Sequence, residues 1–248
     1  MSLNKGTTMG DRKKEYYRDS WEAYYQSVGG DIGEVPWDVV PELAAEKDRF
    51  RMVKYFRPNL PLVDVGCGTG TQTRFLSETF ERVIGTDVSA GAIEMASNRY
   101  GPSGPEFRQM DILNEGQVSE LHEELGDCNL YMRGTLQQIL KSDRGNFSRS
   151  VKRLLGENGH LYFIELSPDA RSFFLGLHRE LGGLPAQLKR VLAEKVTKMV
   201  GVGLEEVTNI FDSSDFIIHE KGRDSIALKI SATDRVNVPA VYGIISGQ

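Results

Sequence analysis

Cysteine is scarce. Cys67 and Cys128 are the two in 248 residues, too few for a disulfide framework, and they fit a reducing, cytoplasmic setting. Apolar runs of about 18 residues, the length that crosses a bilayer, are missing, so no membrane partner is expected. The stretch from Met1 to Arg18 is polar and has no apolar signal core, so no secretion signal is read. Basic excess is missing too: 30 Lys and Arg stand against 35 Asp and Glu, a net charge of −5. Phosphate backbones need a basic surface, so no nucleic-acid partner is expected. Histidine occurs four times, and no metal set is read. Internal repeats and low-complexity tracts are also lacking. What is present, 40% hydrophobic and 26% charged residues, is the make-up of a folded domain, alone or with a small cap. It rules out a disordered chain, a collagen-like repeat and a coiled-coil rod. Glycine is the residue in excess, with 26 copies against an average of about 7%.

The texture changes near Pro58. Before it, Asp11 to Val28 reads as a helix rich in aromatics: Tyr16, Tyr17, Trp21, Tyr24 and Tyr25. A glycine-rich break, Gly29-Gly30-Asp31-Ile32-Gly33, leads to Trp37. A second helix is expected from Pro41 to Phe56, with Pro41 at its first position. After Pro58, strands and helices alternate. Strands are expected at Leu62–Val65, Arg82–Asp87, Glu106–Met110, Asp127–Met132 and His160–Leu166. Helices are expected at Thr71–Phe80, Ser89–Tyr100 with Ser89 as N-cap, Gln117–Leu125, and Leu136–Leu155 with a break near Gly145. This alternation implies a doubly wound, mostly parallel α/β sheet. Residues 168–212 read as a helical insert. The tail has strand signals at 216–220, 226–230 and 241–246, and the first two form either one strand kinked at Gly222 or a hairpin. The expected organisation is a cap over residues 1–58 and a core over 59–248.

The first strand runs into Asp64-Val65-Gly66-Cys67-Gly68-Thr69-Gly70. Alternate glycines let the backbone turn sharply and approach a ligand, and the next helix offers free N–H groups. Such a crevice at the carboxyl ends of the strands is where open α/β sheets bind ligands. The dinucleotide pattern G-x-G-x-x-G fails, because Thr71 stands at its third glycine. No Gly-Lys-Ser/Thr follows, so the P-loop fails as well. Asp87 ends the second strand, and a carboxylate there can accept from both hydroxyls of a ribose.

The pattern D-x-G-x-G-x-G in this strand-loop-helix setting resembles the first motif of the class I S-adenosylmethionine-dependent methyltransferases. The resemblance runs from Leu60 to about Leu166. It implies the Rossmann-like methyltransferase fold, S-adenosyl-L-methionine as cofactor, and a set of cofactor contacts. Asp64 would organise the ammonium, helped by the backbone carbonyl at the end of the fourth strand near Arg133. The backbone of Gly66, Cys67, Gly68 and Gly70 would line the methionine and ribose pocket. Asp87, with Val88 beside it, would hold the ribose. Asp111 would receive the adenine amino group and the Ile112 backbone a ring nitrogen.

Methyl transfer from a sulfonium is an in-line displacement with a good leaving group, so alignment and exclusion of water matter most. A base is needed only for some acceptors, and the lack of a triad is no objection. The fourth strand ends in Arg133-Gly134-Thr135-Leu136. Family members that act on adenine or on glutamine amides carry (Asn/Asp/Ser)-Pro-Pro-aromatic there, so that acceptor class is not expected. Aminopropyltransferases of the same fold place an acid there, and Arg133 has the wrong sign. A binding module without catalysis is the other alternative. The expected acceptor is a small molecule, with oxygen preferred over nitrogen or carbon, acted on by a monomer or homodimer. Gln137 and Gln138, with Tyr24, Tyr25 and Trp37 of an aromatic lid, are the expected substrate-side residues. Candidates for direct chemistry are Arg133, which suits an acidic group, Glu165 near the ligand end of the fifth strand, and His178 in the insert. His122, His160 and His219 are expected to be solvated or structural. Cys67 is expected to be a small loop residue and not a nucleophile.

Overall fold

The run Leu-Val-Asp-Val at 62–65 is buried at every position, as in a strand that lies between two covering layers. The computed structural model describes residues 9–28, 32–193 and 201–248. Gly29, Gly30 and Asp31 of the expected break lie outside the described residues, as do the side chains of Lys13, Lys14 and Tyr16. In chain order the elements are α1 (Met9–Val28), α2 (Ala45–Met52), β1 (Leu62–Val65), α3 (Thr71–Leu76), β2 (Val83–Asp87), α4 (Ala90–Tyr100), β3 (Glu106–Gln109) and α5 (Glu115–Leu125). There follow β4 (Asn129–Arg133), α6 (Arg144–Leu155), β5 (His160–Leu166), α7 (Ala170–Glu180), α8 (Ala186–Ala193), α9 (Leu204–Ile210), β6 (Phe216–Lys229) and β7 (Arg235–Gly247).

The seven strands form one sheet in the order β3-β2-β1-β4-β5-β7-β6. The first five are parallel, and β7 lies antiparallel to both β5 and β6. The fold is the doubly wound, Rossmann-like one. Alternation along the strands divides the core. Val63, Val65, Leu130, Met132, Leu161 and Phe163 face one layer, where α5, α6 and α9 pack. Leu62, Tyr131, Tyr162 and Ile164 face the other, against α2, α3 and α7. The strand order reverses between β1 and β4, and a crevice opens at that switch point.

Several expected elements take a different form. The helix expected from Pro41 is split: Pro41–Leu43 is one 3-10 turn, Ala44 leaves the helical region, and α2 starts afresh at Ala45. The Gln72 side chain holds this start, its Oε1 accepting from the Ala45 N–H at 3.1 Å. The helix expected from Leu136 begins only at Arg144, after 3-10 turns at Leu136–Gln138 and Lys141–Asp143. Gly145 therefore lies in the first turn of α6 and not at a break. The tail contains one long strand, β6, irregular at His219 and not kinked at Gly222, which pairs with β7 as a hairpin. Of the insert, α7, α8 and α9 are helical, and residues 194–200 lie outside the described residues.

The N-terminal segment is clamped to the core at both ends. Glu22 of α1 accepts from the Ser89 hydroxyl at 2.8 Å and the Gly91 N–H at 3.1 Å, at the head of α4. Lys47 and Arg51 of α2 each pair with Asp224 of β6 at 2.7 Å.

Candidate functional site

The site is built outward from the loop after β1. The N–H groups of Gly66 and Cys67 both donate to the Thr86 carbonyl, at 2.7 and 2.9 Å, which folds the loop across β2. Gly66 and Gly68 have φ of +79° and +55°, where side chains are strained. A Cβ on Gly66 would also collide with the Thr135 hydroxyl, and one on Gly68 would lie 2.7 Å from the Tyr25 hydroxyl. Gly70 is the N-cap residue of α3.

Asp87 braces this loop. Its carboxylate accepts from the Gly68 N–H and the Ser89 N–H, both at 3.0 Å. Burial pushes its carboxyl up to about 6, against the pull of these N–H groups. Asp64, also buried, accepts from the Thr73 hydroxyl at 2.6 Å. Burial raises it to about 7, the Thr73 bond opposes this, and the neighbouring Asp87 charge adds to it.

Beside the loop lies a cavity of about 180 Å³. Asp64, Gly66, Cys67, Asp87, Val88, Asp111, Ile112 and Arg133 all reach its wall. Gly68 and Gly70, expected there too, are not on it. Asp111 is held by its own loop: its Oδ1 accepts from the Leu113 N–H at 2.8 Å, and its N–H donates to Gln117 Oε1 at 2.9 Å. Burial and the nearby Asp87 and Asp64 charges push the Cys67 thiol well above its ordinary value, so a thiolate is disfavoured.

The N-terminal segment supplies an aromatic wall. Tyr17, Trp21, Tyr25 and Trp37 line the cavity, and Trp21 meets Trp37 edge-on at 5.5 Å. Tyr24 does not reach it. Fully buried, it packs at 5.1 Å from Trp37, in a cluster with Val28, Val35 and Val191. Opposite, Phe174 of α7, Leu188 and Val191 of α8, and Ile226 and Leu228 of β6 extend the cavity into an apolar chamber.

The candidates for direct chemistry fare differently. Arg133 lines the cavity, but its guanidinium is paired at 2.7 Å with Asp48, which is 1% exposed. The same carboxylate accepts from the hydroxyls of Tyr131 and Tyr162 at 2.8 and 2.7 Å. Glu165 is fully buried and off the cavity wall. It accepts from the N–H groups of Thr135, Leu136 and Gln137 at 3.0–3.1 Å, and so fixes the turn after β4. Burial raises its carboxyl to about 7, opposed by those donors. That turn presents Gln137 and Gln138 to the cavity, while Gln137 Oε1 accepts from the Leu166 N–H at 2.7 Å. His178 stands exposed on α7, away from the cavity. His160 and His219 face each other at 5.3 Å at the start of β5, the end opposite the loop.

Sequence reasoning missed Asp48, Asp38, Tyr131 and the β6 pair Ile226 and Leu228. The last two alternate in a run already read as a strand, which is the signal that could have placed them on one face.

A family model described as a methyltransferase domain matches residues 62–159. A solved S-adenosylmethionine-dependent methyltransferase of Anabaena variabilis is 33% identical, covers 93% of this chain and 95% of its own, and superposes with a TM-score of 0.86. The chain belongs to the S-adenosylmethionine-dependent methyltransferases, and S-adenosylmethionine is the cofactor. The malonyl-[acyl-carrier protein] O-methyltransferase of Acetivibrio thermocellus is 29% identical over 119 residues, 44% of this chain and 40% of that protein. The match thus spans under half of that curated relative. A structure from echinomycin biosynthesis, described by the conversion of a disulfide bond into a thioacetal group, is 17% identical. It superposes with a TM-score of 0.68, covers 93% of each chain, and shares the fold. No described helix is long and apolar enough to cross a membrane.

Proposed function

We propose that this methyltransferase acts on a small, partly apolar acceptor, with oxygen preferred over nitrogen or carbon. The observation that carries the reading is one cavity running from the glycine loop, past Asp64 and Asp87, into a chamber walled by Trp21, Trp37, Phe174, Ile226 and Leu228. The preference for oxygen leans on the malonyl-[acyl-carrier protein] O-methyltransferase among the relatives.

The residues fit the cofactor. The loop brings Gly66 and Cys67 to the cavity wall, and the carboxylates of Asp64, Asp87 and Asp111 line it beside them. In this reading Asp64 and the backbone near Arg133 hold the cofactor's ammonium. Asp87 accepts from the ribose hydroxyls, and Asp111 with the Ile112 backbone meets the adenine. The cofactor supplies an electrophilic methyl group on a sulfonium. The chain's contribution is position: Gln137 and Gln138 orient the acceptor, Tyr25 and Trp37 exclude water, and residues 1–58 act as the cap over the core at 59–248. Alignment and desolvation are the main demands of an in-line displacement. Arg133, committed to Asp48, acts as a fixed positive wall and not as an acid or base.

The test is a methyl-transfer screen of metabolite extracts with isotope-labelled cofactor, read by mass spectrometry. Labelled small-molecule products, reduced when Trp37 is replaced by Ala, are expected. Label appearing only on macromolecules would overturn the reading.

A further inference from the structure

Two kinds of polar group line the cavity. The carboxylates of Asp64, Asp87 and Asp111 stand beside the glycine loop. The turn after β4 offers donors. Strand alternation puts Arg133, two residues after Tyr131, on the layer that holds Phe174, Ile226 and Leu228. Its guanidinium is a fixed cation, held through Nη1 by Asp48.

Gln137 is the more telling residue. Its backbone N–H donates to Glu165 at 3.1 Å, and its Oε1 accepts from the Leu166 N–H at 2.7 Å. The Leu166 N–H can only donate, so the amide must turn its oxygen to it and its Nε2 away. Nε2 lies 4.0 Å from where a Cβ on Gly134 would stand, on the turn just after Arg133. Among the described residues it has no hydrogen-bond partner. Gln137 lines the cavity, so a locked donor without an acceptor stands on the wall.

The same wall lacks a free base. Among the described residues no histidine and no lysine reaches it. Burial pushes the Tyr25 and Tyr131 phenols and the Cys67 thiol well above their ordinary values, so all three stay protonated. The Tyr17 hydroxyl donates to Asp143 at 2.9 Å and accepts from the Leu140 N–H at 2.7 Å. Asp38 is engaged by the Thr71 hydroxyl, Arg99 and Lys229. The other three carboxylates are given to the cofactor in the reading above. An alcohol, a phenol or an ammonium must lose a proton to attack. A carboxylate, with a pKa of about 4, is already ionised at pH 7.

We propose that the methyl acceptor is a carboxylic acid, bound as its carboxylate, and that Gln137 Nε2 holds the oxygen that does not attack. The lone pair of the other oxygen forms the O–CH3 bond, and the C–S bond breaks onto sulfur. The products are a methyl ester and S-adenosylhomocysteine, and no proton leaves the acceptor. Anion and sulfonium cancel, a change that an apolar chamber favours because it removes charges that are costly to bury. The inference rests on the small-molecule methyltransferase reading above.

The first test is chemical. Labelled products of the extract screen are treated with mild alkali, which cleaves methyl esters and spares ethers, amines and thioethers. Release of the label as methanol is expected, and the recovered acid should be methylated again by the enzyme. Label that resists alkali overturns the carboxylic acid. If no small molecule is labelled at all, the reading beneath it falls, and this inference falls with it.

The second test is binding. The recovered acid is titrated by calorimetry into the full chain saturated with S-adenosylhomocysteine, for wild type and Gln137→Glu. Glu keeps an oxygen for the Leu166 N–H and replaces only the donor. Affinity for the acid should fall by about tenfold or more, while S-adenosylhomocysteine binds as before. Gln137→Leu removes the donor without adding a charge, and it reads the same contact if Gln137→Glu does not fold. Unchanged affinity for the acid in these variants would overturn the role of Gln137.

Discussion

The backbone N–H of Gly68 donates to the Asp87 carboxylate at 3.0 Å. The glycine loop and the acid at the end of β2 are therefore one unit. Replacing Asp87 with Ala removes the expected ribose acceptor and the brace of the loop together. Cofactor affinity should fall by roughly ten- to a hundredfold, since a hydrogen bond to a charged group contributes about 1.5–3 kcal/mol. Calorimetry checks this. An unchanged dissociation constant in Asp87→Ala would remove the ribose assignment.

Asp48 is the second junction. Its buried carboxylate holds Arg133, Tyr131 and Tyr162 at 2.7–2.8 Å, and so ties helix α2 to β4 and β5. Breaking a buried ion pair from one side leaves the other charge uncompensated, which costs about 3–5 kcal/mol. Asp48→Ala should lose stability of that order in urea unfolding. Tyr162→Phe removes one neutral donor to that carboxylate and should lose less, about 1.5–3 kcal/mol. Equal losses in the two variants would show that the ion pair is not the dominant contact.

The central sheet and the glycine loop were legible because their signals are local. Leu62–Val65 is an apolar run ending in glycines, and Ser89 and Gly101 bracket α4 as cap and stop. What was not legible depends on partners distant in sequence. The break at Ala44 is set by Gln72. The late start of α6 follows from Glu165, which holds the N–H groups of residues 135–137 in a different turn. Arg133 reads from sequence as a free cation, and only the fold brings Asp48 to it. His178 and Tyr24 were plausible by position in the chain, but the faces on which helices α7 and α1 present them do not reach the cavity.

In its proposed role beside the cofactor's ammonium, Asp64 is expected to link cofactor binding to pH. Burial has raised its carboxyl from the ordinary 3.8 to about 7. A cationic ligand beside it favours the ionised form, so binding near pH 6.5 should release a proton. Affinity should rise as pH goes from about 6 to about 8, because the proton that must leave is held less and less. Calorimetry in two buffers of different ionisation enthalpy reads the release directly. Asp64→Asn should abolish it and flatten the pH dependence. Proton release that persists in Asp64→Asn would assign the linkage to another group.

Glu165 makes a prediction about stability alone. Its carboxyl titrates at the ordinary 4.5 in the unfolded chain and, through burial, at about 7 in the native state. Between these values the native state holds the extra proton. The group's contribution is thus fully present below pH 4.5 and is lost as pH rises to about 7, with a slope of at most about 1.4 kcal/mol per pH unit. Asp64 and Asp87, raised in the same direction, steepen the decline in wild type, so the informative quantity is the difference between proteins. Glu165→Gln cannot ionise and should show a shallower fall between pH 5 and 7. It should also carry a pH-independent penalty of about 1–3 kcal/mol, because its amide places a donor where a second oxygen now accepts the Gln137 N–H. Urea unfolding at pH 5, 6 and 7 measures both effects. Parallel profiles for wild type and Glu165→Gln would mean that the three N–H donors already hold the carboxylate ionised, and that its role is to fix the turn carrying Gln137 at every pH in this range.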